Sequence, residues 1–286
     1  MSKYTRLFQR LVEDSIIPHE AIRVPAAVTD EEILRVHNPG YLEALKDGSL
    51  ERLAIRRIGF PWSDELLERS RLSCGGTLEA ARRALTHGVG VNLAGGTHHA
   101  FPDFGQGYCV LNDCAIAVRA LLAEKHIQNA LILDLDVHQG NGTAAIFAEQ
   151  AEVFTFSMHG ARLFPHRKEK SDLDIPLEDG LGDMDYLERL YGSLPKVLEQ
   201  FQPELVCYLA GADPYIHDRI GSLSLSKQGL AERDHFVLTS CRKYEIPVAV
   251  VMSGGYARCI DDIVDIHAKT IQIASSLYAE SEKDHF

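Results

Sequence analysis

An α/β fold, a parallel sheet between two layers of helices, is predicted by three observations in this 286-residue chain. Short apolar runs such as residues 130–133 have the composition of strands buried on both faces. These runs alternate with longer segments of helical periodicity, the pattern that joins parallel strands through crossover helices. Four of the runs then end in glycines, acids, histidines or a tyrosine, and in such sheets the ligand sits beyond the carboxyl ends of the strands. No Pro/Gly/Ser-rich linker, charge block or repeat divides the chain, so one domain over residues 1–286 is expected.

The elements follow in order. Residues 4–12 place Leu7, Phe8 and Leu11 on one side of a helix. Residues 30–36 and 39–46 read as short helices, the second opening on Pro39, whose missing N–H costs nothing in a first turn. Residues 63–86 form a long helix with Ser63 as its cap and a stripe of small residues at Ser70, Ser73, Thr77, Ala80 and Ala84, which permits close packing. Gly75 and Gly76 weaken that helix by about 1 kcal/mol each relative to alanine, so a close backbone approach is expected there. A strand over 89–94 leads into Gly95-Gly96-Thr97-His98-His99, followed by a loop and a helix over 112–124. The strand 129–136 comes next, then a helix over 141–149 and a strand over 153–158. Residues 165–182 read as a long polar loop, of a length that is usually functional or mobile. A helix over 184–201 precedes the strand 205–210, which ends in Gly211-Ala212-Asp213. After a helix over 226–244, the strand 247–252 runs into Ser253-Gly254-Gly255-Tyr256. The last helix covers 260–277, and a frayed polar tail is expected from Glu280.

Composition narrows the function. The net charge of −12 argues against a phosphate-binding surface, because nucleic-acid binders carry a basic face. Six cysteines show no CxxC pairing and most sit in apolar stretches, which fits a reducing cytoplasm. No run approaches the ~20 apolar residues that span a bilayer, and the first residues lack an apolar leader segment, so a chain that is neither exported nor membrane-spanning is expected.

The central strand carries the chemistry. It closes as Asp134-Leu135-Asp136-Val137-His138, so two carboxylates and an imidazole share one face. Burying such carboxylates without a cation would cost several kcal/mol, so the pattern asks for a metal or a cationic partner. Asp136 and His138 with Asp213 form a set that suits zinc or iron(II) with one position left open. His98 and His99, presented by the Gly95-Gly96 turn, supply bases for a water activated there, and Tyr256 supplies a phenolic donor for an oxyanion.

Gly95-Gly96-Thr97-His98-His99-Ala100, Gly107-Tyr108-Cys109-Val110-Leu111-Asn112-Asp113, Asp134-Leu135-Asp136-Val137-His138-Gln139-Gly140-Asn141-Gly142, Ala210-Gly211-Ala212-Asp213 and Ser253-Gly254-Gly255-Tyr256 occur in this order. Together they resemble the motifs of the histone deacetylase superfamily, within it the class IV-like and bacterial enzymes, over nearly the whole chain. The resemblance implies the arginase/deacetylase fold and a zinc at Asp136, His138 and Asp213. It implies a water held by His98 and His99, with Asp134 behind His98 and Asn141 behind His99, and Tyr256 polarising the acyl oxygen. Tyr108 and Phe164 are the implied aromatic walls of an acyl-lysine channel, with Gly107, Gly254 and Gly255 beside it. A structural potassium is implied near Asp134, Asp136, His138 and Ser157. Asn141 stands where class I members carry an aspartate, and the chain begins at a helix that relatives usually precede with a strand.

The expected substrates are acetylated or fatty-acylated protein lysine and, as an alternative, small acylated amines such as acetylpolyamines. Ureohydrolases of the arginase type share the fold, but their second metal needs further aspartates. Here Asp213 is followed by Pro214-Tyr215, and Gln139 holds the third position after Asp136. A non-catalytic acyl-lysine binding module would be signalled by loss of a metal ligand, a dyad histidine or Tyr256, and all are present.

Overall fold

Alternation along one strand decides the layering. In β2 (Ala130–Asp134) every residue is buried, with Leu131 and Leu133 in one core and Ala130 and Ile132 in another. A strand covered on both faces has no polar side to give to water. The computed structural model describes residues 2–279, and the tail expected to fray from Glu280 lies outside the described residues.

Six parallel strands pair in the order β1-β6-β5-β2-β3-β4: β1 (Val89–Asn92), β2, β3 (Val153–Gly160), β4 (Leu173–Leu177), β5 (Val206–Leu209) and β6 (Val248–Val251). Helices α5 (Asp64–His87) and α6 (Asp113–Ala123) cover one face through Leu78, Ala81, Ile116 and Ala120. The other face is covered by α8 (Asp183–Phe201), α9 (Lys227–Lys243) and α10 (Ile260–Ala279), through Leu190, Val237 and Ile271. The predicted three-layer arrangement is the one observed. Register then fixes where the chain leaves the sheet. Asn92 pairs with Val251, Val251 with Leu209, and Leu209 with Asp134, so four adjacent strands end on one line. The residues that follow each of them emerge side by side.

The first helix, α1 (Ser2–Glu13), buries Leu7 and Leu11 and is tied to α10 by Arg6–Asp261 and Arg10–Asp265 ion pairs at 2.9 and 2.8 Å. Thr29 closes a capping box on α2 (Asp30–Leu34), and α3 (Pro39–Asp47) begins at Pro39 as expected. The Ser63 cap of α5 also holds, its side chain accepting from Leu66 N. The reason for Gly75 is a close approach, since a Cβ there would lie 1.8 Å from the carbonyl oxygen of Ala26. Gly76 abuts the Asn92 side chain instead.

Two elements depart from the sequence reading. The stretch 165–182, expected as an unbroken polar loop, contains β4, an edge strand paired with β3 from Leu173 against Phe156 to Leu177 against Gly160. Its apolar alternation was hidden by the charged surroundings and by Pro176, which an edge strand tolerates. A further helix, α4 (Arg52–Ile58), precedes Gly59, whose left-handed φ of 89° ends it. Among the described residues no helix is long and apolar enough to cross a membrane.

Candidate active site

Two glycines in left-handed conformation, Gly95 (φ 80°) and Gly96 (φ 78°), turn the chain sharply after β1. The amides of Gly96 and Thr97 then donate to the buried carboxylate of Asp113 at 2.9 and 2.7 Å, which holds the turn so that His98 and His99 both face the sheet end. Their rings stand 4.0 Å apart between centroids. Each is addressed by a different partner. His98 Nδ1 pairs with Asp134 Oδ2 at 2.6 Å, and His99 Nδ1 meets Asn141 Oδ1 at 2.9 Å, where α7 (Asn141–Phe147) begins.

That difference sets their charges. Burial opposes a cation at His98, but the carboxylates of Asp134 and Asp136 outweigh it and raise its pKa to about 9. His99 is pushed well below the usual imidazole range by burial and by the neighbouring His98 charge, and the neutral Asn141 amide only partly offsets this. At neutral pH the pair therefore holds one imidazolium and one free base.

Beside the dyad, Asp136, His138 and Asp213 bring one ligand atom each within 4.8 Å of one another, all buried. Their own hydrogen bonds leave a gap in one direction. Asp136 Oδ2 accepts from Ser253 Oγ and Gly254 N at 2.7 and 2.8 Å, and Asp213 Oδ1 accepts from Val137 N at 2.9 Å. Asp213 Oδ2 is buried and accepts no well-aligned hydrogen bond; its near partner is His138 Nδ1, 3.3 Å away. A buried carboxylate oxygen so poorly satisfied is costly without a cation. Burial and the Asp136 charge raise the Asp213 pKa to about 7. His138 is raised to about 10, because its hydrogen bonds and attraction to both carboxylates exceed the burial penalty. The imidazolium stands in for the positive charge that the two carboxylates require. Space for the group is kept by Gly254, where a Cβ would lie 1.8 Å from Asp213 Oδ2. The donor set, the poorly satisfied Asp213 oxygen and the glycine cradle fit a divalent metal.

A cavity of 620 Å³ opens onto this cluster. His98, His99, Gly107, Tyr108, Gly254, Gly255 and Tyr256 all line it. Tyr108 is 49% exposed at its mouth, with its ring 6.2 Å from that of Tyr256 and 5.2 Å from that of Phe60. Phe164 stands edge-on to His99 at 4.8 Å, and a Cβ on Gly107 would reach both rings. The Tyr256 hydroxyl is held well above its ordinary pKa by burial and by the carboxylates of Asp136 and Asp213, so it remains a donor at any working pH. Ser157 pairs in register with Asp134, and its hydroxyl bonds His159 Nδ1 at 2.9 Å.

The structure thus brings His98, His99, Asp134, Asp136, His138, Asn141, Asp213 and Tyr256 to one end of four adjacent strands. Two contributors had no role in the sequence reading. Phe60 follows a helix that was not expected, and Asp113 was seen only as part of a motif. Its signal was a charged residue opening an otherwise apolar helix.

A family model described as histone deacetylase domain matches residues 1–271. Similar proteins include an uncharacterised protein of Picosynechococcus sp., 44% identical over 97% of this chain and 93% of its own length. Histone deacetylase 2 of Arabidopsis thaliana is 30% identical over 92% of this chain and 72% of its own. An acetoin utilization protein AcuC of Staphylococcus aureus is 29% identical over 86% of this chain and 68% of its own.

Proposed function

The chain belongs to the histone deacetylase family and is a hydrolase, and from that premise we propose that it is a zinc-dependent amidohydrolase removing an acetyl or longer acyl group from lysine side chains. The observation that carries the proposal is the buried Asp136–His138–Asp213 group, two carboxylates and an imidazole converging with an Asp213 oxygen that accepts no well-aligned hydrogen bond, beside a cavity that also holds a free imidazole and a phenol. Bound there, zinc would polarise the acyl carbonyl and acidify water.

The chain's own residues supply the rest. His99, a free base at neutral pH, takes the proton of the attacking water and later returns it to the leaving lysine amine. His98, kept cationic by Asp134, stabilises negative charge as it develops. Tyr256 donates to the acyl oxygen most strongly when that oxygen becomes an anion, which lowers the barrier more than it strengthens substrate binding. Tyr108 and Phe164 offer apolar walls to the lysine stem. A structural potassium near Asp134 and Ser157 belongs to the same proposal, supported by their pairing across β2 and β3.

Lysine in a protein is favoured over an acetylpolyamine by the charge of the cavity wall. Lys3, Arg69, Arg219 and Arg258 line it, while Asp136, the one carboxylate among the described residues of the lining, belongs to the metal group. A polycationic substrate would be repelled there. Zinc-loaded protein assayed on a panel of acyl-lysine peptides and acetylpolyamines tests the reading. Turnover of the peptides that a chelator abolishes is expected. Hydrolysis of acetylpolyamines alone would contradict it.

A further inference from the structure

Tyr256 sits at the end of a turn that does not hold it by itself. Ser253 takes a left-handed φ of 54° and Gly255 a φ of 145°, the latter reached readily only by glycine. Two successive glycines before an aromatic residue leave many orientations of its ring accessible. Yet the ring lies at a defined place in the cavity, and both polar groups of the Tyr256 peptide are gripped by one short loop. Tyr256 N donates to Asp218 Oδ2 at 2.6 Å, and Arg219 Nε donates to Tyr256 O at 2.9 Å.

The loop carrying these two residues is anchored at the metal group. It leaves Asp213 through Pro214 and Tyr215, and a Cβ at Gly221 would lie 2.2 Å from the Asp213 carbonyl oxygen. The other carboxylate oxygen, Asp218 Oδ1, accepts from Ile220 N and Gly221 N at 2.9 and 3.0 Å. One carboxylate therefore satisfies three amides, two in its own loop and one 38 residues away in Tyr256. Charge-assisted bonds of this kind are roughly twice as strong as neutral ones.

We propose that Asp218, with Arg219, is a positioning residue that fixes Tyr256 relative to the loop of Asp213. The inference rests on the deacylase reading, in which Tyr256 donates to the acyl oxygen. Asp218 touches no substrate in this role. It makes a flexible two-glycine hinge present one orientation, and a misplacement of about 1 Å can cost roughly 10²-fold in rate.

Steady-state kinetics on the zinc-loaded chain with an acyl-lysine peptide, read with amide hydrogen exchange over residues 253–258, tests this. Asp218→Ala is expected to lower kcat by about 10- to 10²-fold, leave KM within about twofold, and speed exchange of that segment. Asp218→Asn keeps one acceptor and should recover part of the loss. In a Tyr256→Phe background, Asp218→Ala should change kcat by less than about twofold, since the residue acts through the missing hydroxyl. If Asp218→Ala melts early, Arg219→Lys, which keeps the charge of the cavity wall and loses the Nε donor to Tyr256 O, carries the kcat and exchange comparison. An unchanged kcat, or a full additional loss in the Tyr256→Phe background, overturns the assignment. A parent chain with no turnover of any acyl-lysine would overturn the deacylase reading itself, before any variant is compared.

Discussion

His98 and His99 are adjacent in sequence, yet a carboxylate behind one and an amide behind the other leave the first cationic and the second neutral at neutral pH. A base works only when unprotonated, so activity rises with pH through the pKa of His99 and is lost below it. Because that pKa is depressed well below 6.5, the plateau should extend through pH 6.5 and the acidic limb should lie lower. Replacing the amide by a carboxylate stabilises the imidazolium, so Asn141→Asp should move the limb to higher pH. A pH–rate profile whose limb stays put, or moves down, would contradict the assignment of His99. Tyr256→Phe keeps shape and removes one donor, and should lose about 10²- to 10³-fold in kcat while binding metal normally. Turnover within about threefold of the parent, roughly 0.65 kcal/mol, would leave the oxyanion without need of this hydroxyl. These residues were legible because alternation puts Asp134, Asp136 and His138 on one face and because polar groups at the ends of apolar strands have no structural reason to be there. Asp113 and Asp218 were not legible in that sense. Their partners are amides in loops far along the chain, at Gly96 and Tyr256, and no local spacing encodes such a meeting.

At the scale of elements, the long and strongly periodic helices were read within a few residues of their observed bounds. The short ones were harder. α4 has seven residues, and its sequence carries three arginines against one buried isoleucine, too little periodicity to stand out. β4 alternates Leu173, Ile175 and Leu177 with Asp174 and Pro176, and it becomes a strand only because β3 offers it an edge. Tertiary pairing decided what local preference left open. Gly75 illustrates the converse, a residue whose local cost predicts a tertiary fact. Alanine would improve helix propensity by about 1 kcal/mol, but its methyl group would lie 1.8 Å from the Ala26 carbonyl oxygen. Backbone cannot yield as a flexible side chain does, and overpacking typically costs about 1–3 kcal/mol. Gly75→Ala should therefore lower the denaturant midpoint. A midpoint at or above that of the parent would show that the segment around Ala26 moves away freely.

For the whole molecule, strand order matters more than any single motif. The chain builds β1 at one edge and β2 to β4 toward the other, and only then inserts β5 and β6 between β1 and β2. This late insertion brings Asp213 and the Tyr256 turn between the histidine pair and the Asp136–His138 segment, four stretches spread over more than half the sequence. The α/β class and the convergence of strand ends could be read from the sequence, but the order β1-β6-β5-β2-β3-β4 came only with the structure, because parallel strands carry no local mark of their neighbours. The fully buried Arg233 shows how deep the support runs. From α9 it donates to the Gly211 carbonyl at 2.7 Å, two residues before Asp213, while its charge is balanced by Asp234. The proposed reaction rests on one chemical requirement, a cation held by Asp136, His138 and Asp213, a group that could bind a metal. The most direct test measures bound zinc and acyl-lysine turnover on the same samples of the parent and of Asp213→Ala. One zinc per parent chain, with both zinc and turnover lost in the variant, is the expected result. Full zinc occupancy and normal turnover in Asp213→Ala would contradict the metal centre on which the proposed reaction depends.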